Sequence, residues 1–178
     1  MKKFWVVACV GFVLLMASPA MAQSSEARLD GWGVGLGIGT GITGVSLKNQ
    51  TSGDKAFQAV IGCWGGYRNN CYGLGGSLDL LVNMPVLTQE DSVSLAWNLG
   101  GGGAVGVRGG SDWGRHPRGS GYRGNDLWLA GQFVAGLEVL FPSVPLDVVV
   151  EWRPSLWIVP GFHFQIENAG FHVRYYFQ

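Results

Sequence analysis

The chain has 178 residues, with 12 Lys+Arg against 12 Asp+Glu, 47% hydrophobic residues, 30 glycines and 7 prolines. That length suits one domain. The balanced charge gives no electrostatic footprint for nucleic acid, so none is expected as a partner, and glycine without a collagen period among frequent aromatics excludes a fibrous chain.

Met1 to Ala22 reads as a secretory signal peptide. Lys2 and Lys3 form the positive start, Phe4 to Met16 the apolar run, and Ala20-Met21-Ala22 the small-residue cleavage site. Too few apolar residues precede Cys9 for it to be a lipidated cysteine. The mature domain then runs over 23–178, about two charges negative once Lys2 and Lys3 are removed. No mature segment approaches the roughly eighteen unbroken apolar residues a membrane helix needs.

Alternation of apolar and polar residues follows almost at once. GWGVGLGIG, Gly31 to Gly39, carries Trp32, Val34, Leu36 and Ile38 on one face and only glycine on the other. A second strand runs from Gly41 to Gln50, with Val45 and Leu47 opposed by Ser46 and Lys48, and Thr51-Ser52-Gly53-Asp54 signals a turn. Lys55 to Trp64 sets Phe57, Ala59, Ile61 and Cys63 against Gln58, Val60 and Gly62. In Tyr72 to Asn83, Leu74, Leu78, Leu80 and Val82 alternate with Gly73, Gly75, Ser77, Asp79 and Asn83. A turn at Thr88-Gln89-Glu90-Asp91 leads to a fifth strand, in which Val93, Leu95, Trp97, Leu99, Val105 and Val107 alternate with small residues and Asn98. Arg108 to Asn125 breaks every period and reads as the longest loop. Strand six spans about Leu127 to Phe141, strand seven about Leu146 to Leu156, and strand eight Ala169 to Phe177, with His172, Arg174 and Tyr176 on one face.

Such alternation allows two arrangements, apolar faces inward around a carried lipid or outward into a membrane. The polar faces are rich in glycine and poor in Lys and Glu, which favours turning them inward. The expectation is an all-β, eight-stranded antiparallel up-and-down transmembrane β-barrel. Connection parity supports it, since the long Arg108 loop and the tight Pro142-Ser143-Val144-Pro145 turn fall at opposite ends.

GLEVLFPSVPLDVVVEWRP, Gly136 to Pro154, with the closing FHVRYYF, Phe171 to Phe177, resembles the small uncharacterised outer-membrane β-barrel proteins of Gram-negative bacteria and spirochaetes, of OmpA/OmpX-like architecture. A weaker match lies in TGVSLK, Thr43 to Lys48, and in Leu78-Asp79-Leu80-Leu81. The resemblance implies location in the bacterial outer membrane, contact with its lipid and lipopolysaccharide, no catalytic residues and no cofactor. It also implies recognition of the C-terminal strand by the barrel assembly machinery. Such barrels end on the aromatic itself, whereas here Gln178 follows Phe177.

The inward charged set is Lys48, Asp79, Glu138, Glu151, Arg153, His172 and Arg174. Isolated charges in a dry interior are costly, so these are expected to pair into a plug, with Glu138 and Glu151 meeting Arg153 and Arg174. A gated pore or proton path is the alternative. A lipid A-modifying enzyme would draw on His163 and Glu167, but the position two after His163 is Gln165 where a serine is wanted. Cys63 and Cys71 suit a disulfide in an oxidising compartment, although their opposite parity calls for a bulge, and no histidine nearby suggests a metal. In the long loop, Arg108, Trp113, Arg115, Arg118 and Arg123 are candidates for binding lipopolysaccharide phosphates or an unknown surface partner. The plain alternative is a solvated loop.

Overall fold

The computed structural model describes residues 28–39, 41–51, 54–64, 71, 73–108, 127–141 and 143–177. The signal peptide expected at 1–22 lies outside these, as do Trp113, Arg115, Arg118 and Arg123, and so does the side chain of Arg108. Among the described residues there is no helix.

The strands are β1 (Gly31–Gly39), β2 (Ile42–Gln50), β3 (Lys55–Trp64), β4 (Gly73–Asn83), β5 (Thr88–Gln89), β6 (Ser94–Arg108), β7 (Leu127–Phe141), β8 (Leu146–Trp152), β9 (Ser155–Val159), β10 (His163–Gln165) and β11 (Ala169–Phe177). Every pairing is antiparallel. The ring runs β1-β2-β3-β4-β6-β7-β8-β11 and closes where β11 returns to β1, Trp32 opposite Phe177. This is an eight-stranded closed barrel with further strands outside the ring.

Three elements differ from the alternation alone. The expected turn over Thr88-Gln89-Glu90-Asp91 begins as β5, which pairs with β6, and the chain reverses instead through reciprocal bonds between Glu90 and Val93 of 2.9 and 3.3 Å. The seventh strand is broken into β8 and β9 at Arg153-Pro154, because proline has no N–H for the ladder. There the Pro154 carbonyl accepts from Phe133 N at 3.0 Å and Arg153 N donates to Asn168 O at 2.8 Å. The extra strand β10 then pairs with β9, forming a hairpin before β11.

The registers stagger steeply. From Arg174 one way round the ring leads through Gly35, Ser46, Val60, Ser77 and Ala104 to Ala130; the other way leads through Asp147 to Leu140. Both ends of that walk lie on β7, about ten residues apart, the shear of a barrel with strongly tilted strands. Residues distant on one strand are thereby brought to the same height as residues on others.

Polarity is inverted relative to a water-soluble barrel. Leu36, Ile61, Leu74 and Leu78 are each more than 60% exposed on the outer face. Lys48, Asp79, Glu138, Asp147, Glu151, His172 and Arg174 are buried in the lumen. The lipid-carrier arrangement, which needs the apolar faces inward, is therefore not the one the chain adopts. Room inside comes from glycine. A Cβ on Gly33 would lie 2.7 Å from the Tyr176 ring, and one on Gly37 would lie 2.7 Å from His172 Nδ1, so the bare face of β1 is where the side chains of β11 lie.

Gly35→Ala would place a Cβ 1.8 Å from the Val173 carbonyl oxygen, and the backbone shift this forces is expected to cost about 1–3 kcal/mol. Gly131→Ala, with nothing within 4 Å, should change stability by less than about 0.5 kcal/mol. Urea midpoints of the two variants test this, and equal midpoints would refute the role given to Gly35.

Candidate functional site: the charged lumen

Inward positions of six strands, with Arg28 ahead of β1 and Arg153 just after β8, meet in two hydrogen-bonded groups. Nearer the chain termini, Glu138 of β7 takes Lys48 Nζ of β2 on Oε1 and Arg28 Nη1 on Oε2, the latter at 2.9 Å. Arg28 also donates Nη2 to the carbonyls of Met84 and Trp97 at 2.8 and 3.0 Å. Both cations thus converge on one fully buried carboxylate.

The second group is longer. Arg174 of β11 grips Asp147 of β8 through Nε and Nη2, at 3.0 and 2.9 Å, and Tyr176 Oη donates to Asp147 Oδ2 at 2.9 Å. This fork-to-carboxylate geometry is the strong form of a charged hydrogen bond. Gln58 of β3 accepts from Arg174 Nη1 and donates to Glu151 Oε1 at 2.9 Å. Arg153 joins two carboxylates, with Nε to Glu151 Oε2 at 2.6 Å and Nη2 to Asp79 Oδ2 at 2.7 Å. Gln132 donates to Asp79 Oδ1. His172 lies 3.1 Å from Glu151 Oε2 by Nε2 and 3.1 Å from Ser46 Oγ by Nδ1.

All seven charged residues expected in the lumen lie within these groups, but the pairing differs from expectation. Glu151 meets Arg153 as anticipated. Glu138, however, meets Lys48 and Arg28, and Arg174 meets Asp147. The stagger explains this: Gly136 pairs with Glu151, which sets Glu138 two residues closer to the termini. Gln58, Gln132, Ser46 and Tyr176 carry no charge and so escaped a search for ions. Asp147 was legible from its parity on β8, and Gln58 from its parity on β3. Arg28 precedes the first strand, where alternation gives no signal.

The arrangement around His172 is of serine–histidine–carboxylate type. Ser46 Oγ is fully buried, however, and Glu151 is also held by Arg153 and Gln58, so the triplet acts as a strut across β2, β11 and β8. His163 and Glu167 are exposed, and the His163 ring stacks on Trp157 at 5.3 Å and 11°. Gln165 accepts from Trp157 Nε1 at 3.2 Å. No serine is brought to His163 by any of these contacts.

At the termini end the lumen is lined by Leu29, Ala96, Leu140 and Tyr176, with Val86 against them. At the other end Trp64, Trp128 and Trp157 meet with ring centroids 5.3–5.7 Å apart. Glycine again makes the space, for a Cβ on Gly106 would fall 2.5 Å from the Trp128 indole. Between the tryptophans and the charges is a cavity of about 50 Å³, bordered by Gln132, Arg153 and His172. Among the described residues no group of His, Cys, Asp and Glu is disposed to hold a metal ion.

Cys63 and Cys71 are joined in a disulfide, with Cα atoms 5.2 Å apart. The anticipated bulge is unnecessary, because Cys71 precedes β4 and lies outside the ladder, where strand parity does not apply.

The fold and the lumen define a class: a closed antiparallel barrel, apolar outside and charge-paired within. No protein-family model matches the chain, and neither a curated protein nor a solved structure does.

Three outcomes are expected, two of stability and one of thiol chemistry. Arg153→Met, which leaves Glu151 and Asp79 without their shared cation, should cost about 3–5 kcal/mol. The matched apolar pair Asp147→Leu with Arg174→Met should cost less than Arg174→Met alone. Chemical denaturation checks both, and a harmless Arg153→Met would contradict the first. Cys63 and Cys71 should resist alkylation until a reductant is added, as read by mass spectrometry.

Proposed function

We infer that the protein is an integral outer-membrane barrel with a structural or surface-interaction role, its lumen plugged by ion pairs. The observation that carries this reading is the inverted polarity. An apolar wall around the whole circumference would be an aggregation surface in water, but it is the ordinary exterior of a barrel in lipid. The signal peptide read at 1–22 and the likeness of Gly136 to Pro154 to small outer-membrane barrels support the same location. The surrounding lipid and lipopolysaccharide are then its environment, and β11 is the strand offered to the assembly machinery. Within this reading, neither channel nor enzyme is needed. The ionic groups and the two apolar ends together occupy the lumen of a barrel whose strand number leaves room for little else.

Fractionation with paired unboiled and boiled gel samples tests the location. The protein should remain with the outer membrane and shift on boiling, while a soluble periplasmic pool without a shift would overturn the reading. In planar bilayers the wild-type barrel should show no steady conductance at moderate voltage. A serine-directed fluorophosphonate should leave Ser46 unmodified. Labelling there that disappears in His172→Gln would instead establish an enzyme on this scaffold.

A further inference from the structure

The residues ahead of the first strand turn in under the barrel. Gly31 adopts a φ of +89°, which residues bearing a side chain rarely take, and a Cβ there would lie 2.8 Å from the Phe177 carbonyl oxygen. The joint between Asp30 and β1 therefore demands glycine. Beyond that joint Arg28 reaches the opposite wall, where its guanidinium donates to the carbonyls of Met84 and Trp97 and to the carboxylate of Glu138. Trp97 is on β6, which stands four strands from β1 in either direction around the ring. Between the two walls Leu29, 5% exposed, packs with Ala96, Leu140 and Tyr176. Residues 28–30 thus form a strap across the mouth at the termini end. Glu138, two residues further in on β7 than Leu140, lies behind it with Lys48, and both are 1% exposed.

The strap is lightly held on two counts. The first is charge: Arg28 and Lys48 share Glu138, so Arg28 can leave while that carboxylate keeps a cation and no buried charge is orphaned. Arg174 lacks this freedom, since among the described residues it makes the ion pair of Asp147. The second is hydrogen bonding. Ser94 Oγ and both amide atoms of Asn83 and of Asn98 are buried without a partner among the described residues. All three residues stand at the strap. Asn83 and Asn98 face each other across β4 and β6, each next in sequence to a carbonyl that Arg28 takes, and Ser94 and Asn98 flank Ala96 beside Leu29. Buried polar groups left unpaired carry the cost of their lost hydration, and water admitted at the mouth would return it. The seat of Leu29 and the bonds of Arg28 hold the strap in, and five orphaned polar atoms push it out.

We propose that residues 28–30 are a releasable latch, which swings out on the Gly31 joint and opens to solvent a polar recess formed by Lys48, Glu138, Asn83, Asn98 and Ser94. The latch depends on the closed ring and its registers, and is independent of what surrounds the barrel.

Lysine acetylation of the full mature barrel, folded in detergent, reads the release, because Lys48 and Lys55 are the lysines of residues 23–178 and Lys55 is exposed. With sulfosuccinimidyl acetate and peptide mass mapping, Lys48 should label roughly a hundredfold more slowly than Lys55, through local opening, while the boiling-dependent gel shift is kept. Leu29→Ser, which weakens the apolar seat, should speed Lys48 labelling about tenfold. Asn98→Leu, which removes an orphaned amide at similar volume, should slow it about fivefold. Gly106→Ala, which strains the opposite end of the barrel against Trp128, should leave the rate unchanged. Lys48 inert in both the wild type and Leu29→Ser overturns the proposal, as does an Asn98→Leu rate no slower than wild type. Acceleration by Gly106→Ala equal to that by Leu29→Ser would assign the labelling to opening of the whole barrel and overturn the latch.

Discussion

A charge removed from water costs several kcal/mol unless a partner is held against it, and that constraint governs this molecule. Among the described residues the lumen contains four carboxylates, Asp79, Glu138, Asp147 and Glu151, contributed by β4, β7 and β8. Each is met by a cation on another strand or at a neighbouring inward position. Arg153 is the joint of this system, since its guanidinium ties the β8 carboxylate to the β4 carboxylate across the lumen. Where the ionic groups end, large apolar side chains begin, with Tyr176 and Leu140 on one side and the three tryptophans on the other.

Glycine and charge are two parts of one solution. Eight strands enclose a lumen just wide enough for side chains, so long residues on one strand require bare backbone opposite. Gly33 and Gly37 serve Tyr176 and His172, Gly106 serves Trp128, and a Cβ on Gly102 would stand 2.5 Å from Asp79 Oδ1. At these positions glycine marks where neighbouring side chains lie against the wall, which is a packing role.

Strand identity was legible because a sheet with unlike faces imposes a two-residue period, and β1, β3, β7 and β11 keep it without interruption. The charged membership of the lumen, Arg28 apart, followed from the same parity. Partner choice did not, because it depends on the stagger around the ring, which no single strand reveals. Alternation ran one strand from Leu146 to Leu156 through Pro154, although a proline there is a signal for the β8–β9 break, and β10 was missed because three residues are too few to establish a period. Ser46, Gln58 and Gln132 are ordinary polar residues whose importance lies only in what faces them.

The longest reaches in the lumen carry a kinetic meaning. Lys48 and Glu138 are separated by 90 residues, Arg174 and Gln58 by 116, and His172 and Ser46 by 126. None of these contacts exists in an isolated hairpin or in a half-assembled sheet, so the growing chain carries unmatched ions until β11 finds β1. Loop-closure entropy is paid before the electrostatic return arrives, which makes ring closure slow and nearly all-or-none. A partly built barrel would expose its ions to whatever surrounds it, and water tolerates them far better than lipid. On the proposed membrane reading, insertion and closure are bound into one step: the chain gains most by entering the bilayer as its last seam forms.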